Sequence, residues 1–445
     1  LQAGGVLRIL FRLPSARAAA TVRAHPNDLN PEALMRPSYR ALFVLALLSL
    51  ASLALAAPAK PPTKTSAAKE LLQNGGFERA VSESHWLAAG WDTSIADLPT
   101  PVYFGRDTFL AHSGEYAVSV ANTSNAFPMG HNWSQTILVG PETWGKMARF
   151  KVWARNNGVE GRAYILVQAY SDTASRMGKI WNVDHDEALK RLGINKIDDP
   201  LLDLGWDRTM FAEPLTDWVQ REAVAFVAPG TNVLFVRCGL MGTGQVLFDD
   251  ASLTLTPAPA FPKPAVGKNL FIDPGFEQGG VTWDLAIPPF EGSKVVMDST
   301  VAHTGKWSVR FQEFWDGLVE SRIGVGQSAF GRSLRGQRVR LSGWFKGDSL
   351  VGTSLVKIYS HGMKSRVVQS PGAELLSGTW DWKQLSIEMD IPEDSEIVWA
   401  HLQTIVPARG VVWIDDASFE VVGPAKSAAK PSGTKPAAAA KPKNP

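Results

Sequence analysis

The sequence predicts an all-β chain of two tandem β-sandwiches with Pro/Ala/Lys-rich linkers and a disordered tail. Three observations predict it. Short runs alternate apolar and polar residues with period 2 between Gly, Pro, Asn and Asp, the pattern of half-buried strands. Three sequence blocks recur in one order. Stretches of spacer composition fall before, between and after the two copies.

Residues 1–34 lack periodicity and read as an upstream extension before Met35. Residues 35–56 read as a secretory signal peptide. Arg36 and Arg40 precede a 14-residue apolar run, Leu42 to Leu55, and Ala54-Leu55-Ala56 suits cleavage. That run is short of the ~20 residues a membrane span needs, so no transmembrane segment is expected after cleavage. Residues 57–69, 257–267 and 423–445 read as spacers and tail, too poor in apolar residues to offset ordering entropy.

The chain has 45 Lys and Arg against 43 Asp and Glu. Between residues 71 and 422 the count is 31 against 40, a net of −9, so the folded part is acidic. That excludes a dedicated nucleic-acid binder, which carries a basic stripe. The tail has five Lys and no acid. It suits solubility and spacing, or loose attraction to an anionic cell envelope. One Cys excludes a disulfide scaffold; Cys238 falls on the apolar side of its strand and reads as a small buried hydrophobe.

Copy one spans 70–256 and copy two 268–422. Asn74-Gly75-Gly76-Phe77-Glu78 returns as Asp273-Pro274-Gly275-Phe276-Glu277. His112-Ser113-Gly114 returns as His303-Thr304-Gly305, and Asp249-Asp250-Ala251-Ser252 as Asp415-Asp416-Ala417-Ser418. Copy one is longer by an insertion over 171–215, within which 184–192 has helical character.

These blocks resemble carbohydrate-binding modules of the family 4, 9 and 22 type, jelly-roll sandwiches of the galactose-binding-like class. The resemblance covers both copies and implies a secreted binding protein. It also implies a structural calcium ion, carried over to Glu78 with Asp249 and Glu277 with Asp415, with Asp250 and Asp416 beside them. Carboxylates and backbone carbonyls suit such a hard cation.

A sugar site needs planar aromatics and hydroxyl-reading polar groups. Period 2 sends Ala148, Phe150, Val152, Ile165, Val167, Ala169, Leu234, Val236 and Cys238 inward in copy one. Trp153, Gln168, Tyr170 and Arg237 then face outward. In copy two Leu341, Gly343, Phe345, Val356, Ile358, Ser360, Val398, Ala400 and Leu402 face inward. Trp344, Tyr359, His361, Trp399, His401 and Gln403 face outward. If those strands share a sheet, each copy carries a binding groove, and two weak sites on one polymer gain avidity. A one-residue slip would invert every assignment. Trp91, Trp218, Trp283 and Trp380 read as structural; Trp86, Trp133, Trp181, Trp206 and Trp315 lie in loop-like text at the groove ends.

No catalytic motif is evident. Gly347-Asp348-Ser349-Leu350 matches the GDSL esterase tetrapeptide but stands in mid-repeat with no Asp-x-x-His after it. The expected function is a non-catalytic, secreted or cell-surface protein that binds poly- or oligosaccharide. The alternatives are a structural protein with protein partners and, less favoured, a cryptic hydrolase.

Overall fold

The structure is a computed structural model that describes residues 69–94, 101–124, 130–171, 202–286, 294–315, 321–375 and 377–426. The signal peptide, the upstream extension, segment 184–192, Trp181 and nearly all of the tail lie outside the described residues, as does the side chain of Trp315.

Copy one contains β1 (Ala80–Val81), β2 (Ser84–Ala88), β3 (Asp92–Thr93), β4 (Val102–Asp107) and β5 (Ala117–Asn122). It continues with β6 (His131–Leu138), β7 (Lys146–Ser171), β8 (Leu202–Phe211), β9 (Leu215–Val227) and β10 (Val233–Pro257). Copy two contains β11 (Asp284–Ala286), β12 (Lys294–Asp298), β13 (Ser308–Trp315), β14 (Ser321–Phe330) and β15 (Gln337–Gly362). It closes with β16 (Arg366–Gln369), β17 (Ala373–Leu375), β18 (Gly378–Asp390) and β19 (Ser395–Pro424).

The long strands organise each sandwich. β7 and β10 pair antiparallel over their whole length, Tyr170 opposite Val233 at one end and Lys146 opposite Pro257 at the other. Their outer neighbours change midway. The front half of the pair is flanked by β6 and β8, the back half by β5 and β9. Both strands therefore pass from a front layer into a back layer. The crossing lies at Gly158, Gly161, Gly242 and Gly244, all with positive φ. A Cβ on Gly161 would stand 2.2 Å from the Met241 carbonyl oxygen, so only glycine permits the bend there. In copy two, β15 and β19 do the same, flanked by β14 in front and by β13 and β18 behind.

The inner faces meet as expected. In copy one Phe150, Val152, Ile165, Val167, Leu234, Val236 and Cys238 are fully buried in one core with Val118, Trp133 and Phe248. In copy two Leu341, Phe345, Val356, Ile358, Val398, Ala400 and Leu402 fill the equivalent space. Gly343 faces inward too, where a Cβ would strike Leu402 Cδ2 at 2.4 Å. Buried Ser360 donates to Ser395 Oγ at 2.8 Å, which satisfies its hydroxyl.

Two expectations need correction. Trp133 is no groove residue: it is fully buried, donating from Nε1 to the Ser119 carbonyl. The 257–267 segment is no free spacer. Phe261 packs 5.1 Å from Phe226 and 5.2 Å from Phe330, so one apolar ring ties the segment to both copies. Trp91 and Trp283 are structural as expected, each donating to the carbonyl that opens its copy, Asn74 and Asp273.

Candidate binding site at the junction of the two sandwiches

The bend separates residues that the sequence grouped together. Trp153 lies on the back half of β7 and Trp344 on the back half of β15, on the layer opposite the remaining candidates. Each stacks on a histidine: Trp153 on His112 at 4.0 Å and 16°, Trp344 on His303 at 4.1 Å and 17°. Trp218 and Trp382 complete these clusters edge-on. Trp153 and Trp344 are thus removed from the groove set; a strand that changes layer carries its outward residues to two different surfaces. The charged residues beside them pair across strands, Arg149 with Glu222, Arg340 with Glu388 and Lys346 with Asp381.

The same clusters hold the acidic motif. Asp249 accepts the N–H groups of His112 and Ser113 at 2.7 and 3.1 Å, and Asp415 those of His303 and Thr304 at 2.8 and 3.2 Å. Glu78 accepts the Glu115 and Tyr116 N–H groups, and Glu277 those of Lys306 and Trp307. Asp250 and Asp416 each bind the adjacent histidine Nδ1 at 2.6 Å. Three carboxylates per copy therefore converge on one loop. Burial pushes Asp249 up to about 6 and raises Asp415, against the backbone N–H groups that favour both carboxylates. Among the described residues no group of three or more His, Cys, Asp or Glu gathers into a metal cluster. A cation here would take Glu78 with Asp249, or Glu277 with Asp415, plus backbone carbonyls, a donor set that calcium accepts; its place would be structural.

The front-layer candidates of copy one are covered. Gln168 and Tyr170 are 3% and 7% exposed. Arg237 donates to Gln168 Oε1 at 3.0 Å and lies over the Phe235 ring, and burial lowers its pKa. Tyr164 and Leu166, on the same face, join the core cluster of copy two. Copy one thus turns Tyr164 and Leu166 into the junction, and among the described residues Gln168, Tyr170 and Arg237 form no second open groove.

The front-layer candidates of copy two stay open. Tyr359, His361, Trp399 and His401 line a cleft of about 350 Å³. Gly324 and Gly326 of β14 form its floor, where side chains would clash with Gln403 and the Ala400 carbonyl. Gln403 faces this side but is 3% exposed beneath it. The opposite wall comes from copy one. Trp206 of β8 meets Trp399 at 5.0 Å, edge to face. Arg208 pairs with Asp284 at 2.5 Å, and Trp206 Nε1 donates to the same carboxylate at 3.1 Å. His361 Nδ1 lies 3.1 Å from the Asp203 carbonyl oxygen, and burial lowers the His361 pKa.

Sequence reasoning sets Trp206 among loop residues and misses Arg208 and Asp284. The signal is present: Leu202, Leu204, Trp206 and Arg208 alternate with period 2 inside the insertion. Which copy that strand faces is not readable from it.

No family model matches this sequence, and no curated protein matches it. Solved structures similar to it include a tandem pair of family 22 carbohydrate-binding modules from Paenibacillus barcinonensis Xyn10C. That pair is 12% identical, covers 81% of this chain and 99% of its own, and has a TM-score of 0.27. The C-terminal family 22 module of Clostridium thermocellum Xyn10B is 18% identical over 37% of this chain and 99% of its own, TM-score 0.29. A Stig cyclase, Fisc, from Fischerella sp. TAU is 15% identical over 43% of this chain and 100% of its own, TM-score 0.30. Likenesses at these TM-scores say nothing about what the chain binds.

Proposed function

We propose that this chain is a non-catalytic glycan-binding protein whose site is the cleft between its two sandwiches. One observation carries the reading: a sugar-sized cleft walled by Trp206, Trp399, Tyr359, His361 and His401, with the Arg208–Asp284 pair at its edge. Indole and phenol faces suit the apolar faces of pyranose rings, and imidazoles with a charged pair suit hydroxyls. Secretion rests on residues 35–56 of the sequence alone.

A hydrolytic reading has little support. Asp203 and Asp284 are the acids near the cleft, but Asp203 is 9% exposed and is not part of its lining, so they do not flank an open space. Ser349 of the GDSL tetrapeptide donates its hydroxyl to neighbouring Asp348. A protein-partner role is the second reading; the cross-strand pairing of the back-layer charges weighs against it.

The test is affinity electrophoresis of the full chain against soluble β-glucan, xylan and galactomannan. Trp399→Ala is expected to weaken retention by about tenfold or more, as loss of a stacking aromatic does. Lys346→Ala, on the back layer away from the cleft, is expected to leave it unchanged. Equal retention of wild type and Trp399→Ala would exclude the cleft.

A further inference from the structure

A second cavity of about 510 Å³ lies on copy one, between β2, β4 and the loop after β4. Trp86 and Phe109 border it and are 69% and 91% exposed. Hydrophobic burial gives no reason to hold two large rings in water around one hollow. The polar lining is built. Arg106 is 7% exposed, and its guanidinium donates to the carbonyls of Phe77, His85 and Glu78 while lying 3.2 Å over the Tyr116 ring. These contacts fix it in one orientation, and three of its five N–H donors are used. Asp107 offers a carboxylate held by the Phe109 N–H at 2.9 Å, and Thr108 and Ser119 add hydroxyls. Gly105 leaves the floor clear, since a Cβ there would come within 3.3 Å of Ser119 Oγ.

Copy two lacks this constellation. Aligned on His112 and His303, it has Thr300 for Phe109, Met297 for Arg106 and Arg310 for Ser119. Asp107 returns as Asp298, which accepts the Thr300 N–H as Asp107 accepts that of Phe109, so this carboxylate belongs to the shared turn; the duplicated frame does not require Arg106, Phe109 or Ser119.

We propose that this cavity is a second glycan-contact site, taking a neutral pyranose ring against Trp86 and Phe109. Arg106 supplies donors and Asp107 an acceptor for adjacent hydroxyls, a pairing that a neutral sugar satisfies and an acidic one opposes through Asp107. The site is separate from the junction cleft and does not require it. Two sites on one chain make binding to a polymer bivalent.

The experiment runs the full chain through gels containing β-glucan, xylan or galactomannan, with polygalacturonate as the acidic arm. Four proteins are compared: wild type, Trp86→Ala/Phe109→Ala, Trp399→Ala, and the triple variant. Both platform residues are exposed, so their removal leaves the fold intact, which circular dichroism checks. The double variant is expected to lose about tenfold in retention on a neutral polymer, Trp399→Ala to keep part of it, and the triple variant to lose all. A double variant that migrates as wild type, while Trp399→Ala loses retention, overturns the second site and leaves the cleft standing. The reverse pattern overturns the cleft alone. Retention by the platform on polygalacturonate only overturns the neutral assignment, and wild type retained on no gel overturns both sites for these ligands.

Discussion

Burial pushes the Asp203 carboxyl up to about 8, against the pull of its hydrogen bonds to Gly205 and the Trp399 indole. At neutral pH it keeps its proton in the folded protein, whereas in the unfolded chain it ionises at about 3.9. Between those values the folded state binds the extra proton. The stability from this group is full below about pH 4 and is lost as pH rises through about 8. Asp203→Asn, which mimics the protonated form, is therefore expected to flatten the fall in melting temperature between about pH 4 and about pH 8. A wild-type and variant pair with parallel pH profiles would show that Asp203 ionises without cost. At this scale much is legible in the sequence. Period 2 alone places Phe150, Ile165, Leu341 and Val398 inward, because one polar residue on that side would lack a partner. The partner of Trp153 is not legible, because stacking on His112 joins residues that no local pattern links.

At the scale of elements, each sandwich is governed by a strand pair that serves both layers. The alternation of β7 changes phase at its bend, with Phe150 and Val152 inward before it and Ile165 and Val167 inward after it, so it reveals which residues face the core and hides which layer they occupy. The glycines at 158, 161, 242 and 244 are the available signal, since glycine inside a strand marks a bend or close approach. The other device is the loop after β4, held by Asp249 of β10 and by Glu78 ahead of β1, and reproduced in copy two by Asp415 and Glu277. Gly114 belongs to it, with φ of 62° and a Cβ position only 2.1 Å from Glu78 Oε1. We propose calcium as the cation that joins these carboxylates, and chelator-treated full chain is the material to test it. Calcium at about a hundredfold above its Kd would add about 2.7 kcal/mol per site, a rise of several degrees in melting temperature. Asp249→Asn and Asp415→Asn should each reduce that rise. An unchanged melt would leave the carboxylates as acceptors for backbone N–H groups alone.

At the scale of the molecule, the two sandwiches are joined through side chains that the sequence does not assign to a junction. Tyr164, Leu166, Met210 and Met241 of copy one share a cluster with Trp283 and Leu285 of copy two. Arg208 and Asp284 bridge the same junction with 7% and 20% of their side chains exposed. Removing one member of so enclosed a pair strands the other charge, a loss of about 3–5 kcal/mol in buried cases. The cleft exists only while the copies stay docked, because Trp206 comes from one and Trp399 from the other. Docking and ligand binding are then linked, and what weakens one weakens the other by the same free energy. Asp284→Ala is expected to split the calorimetric unfolding into two transitions, to raise the radius of gyration in solution scattering, and to weaken glycan retention. Saturating glycan should return the scattering profile toward wild type, since bound ligand favours the docked arrangement. An Asp284→Ala protein with one transition and unchanged scattering would mean that the apolar contacts hold the copies together without the ion pair. Retention lost without any change in docking would instead assign Asp284 to direct contact with the sugar.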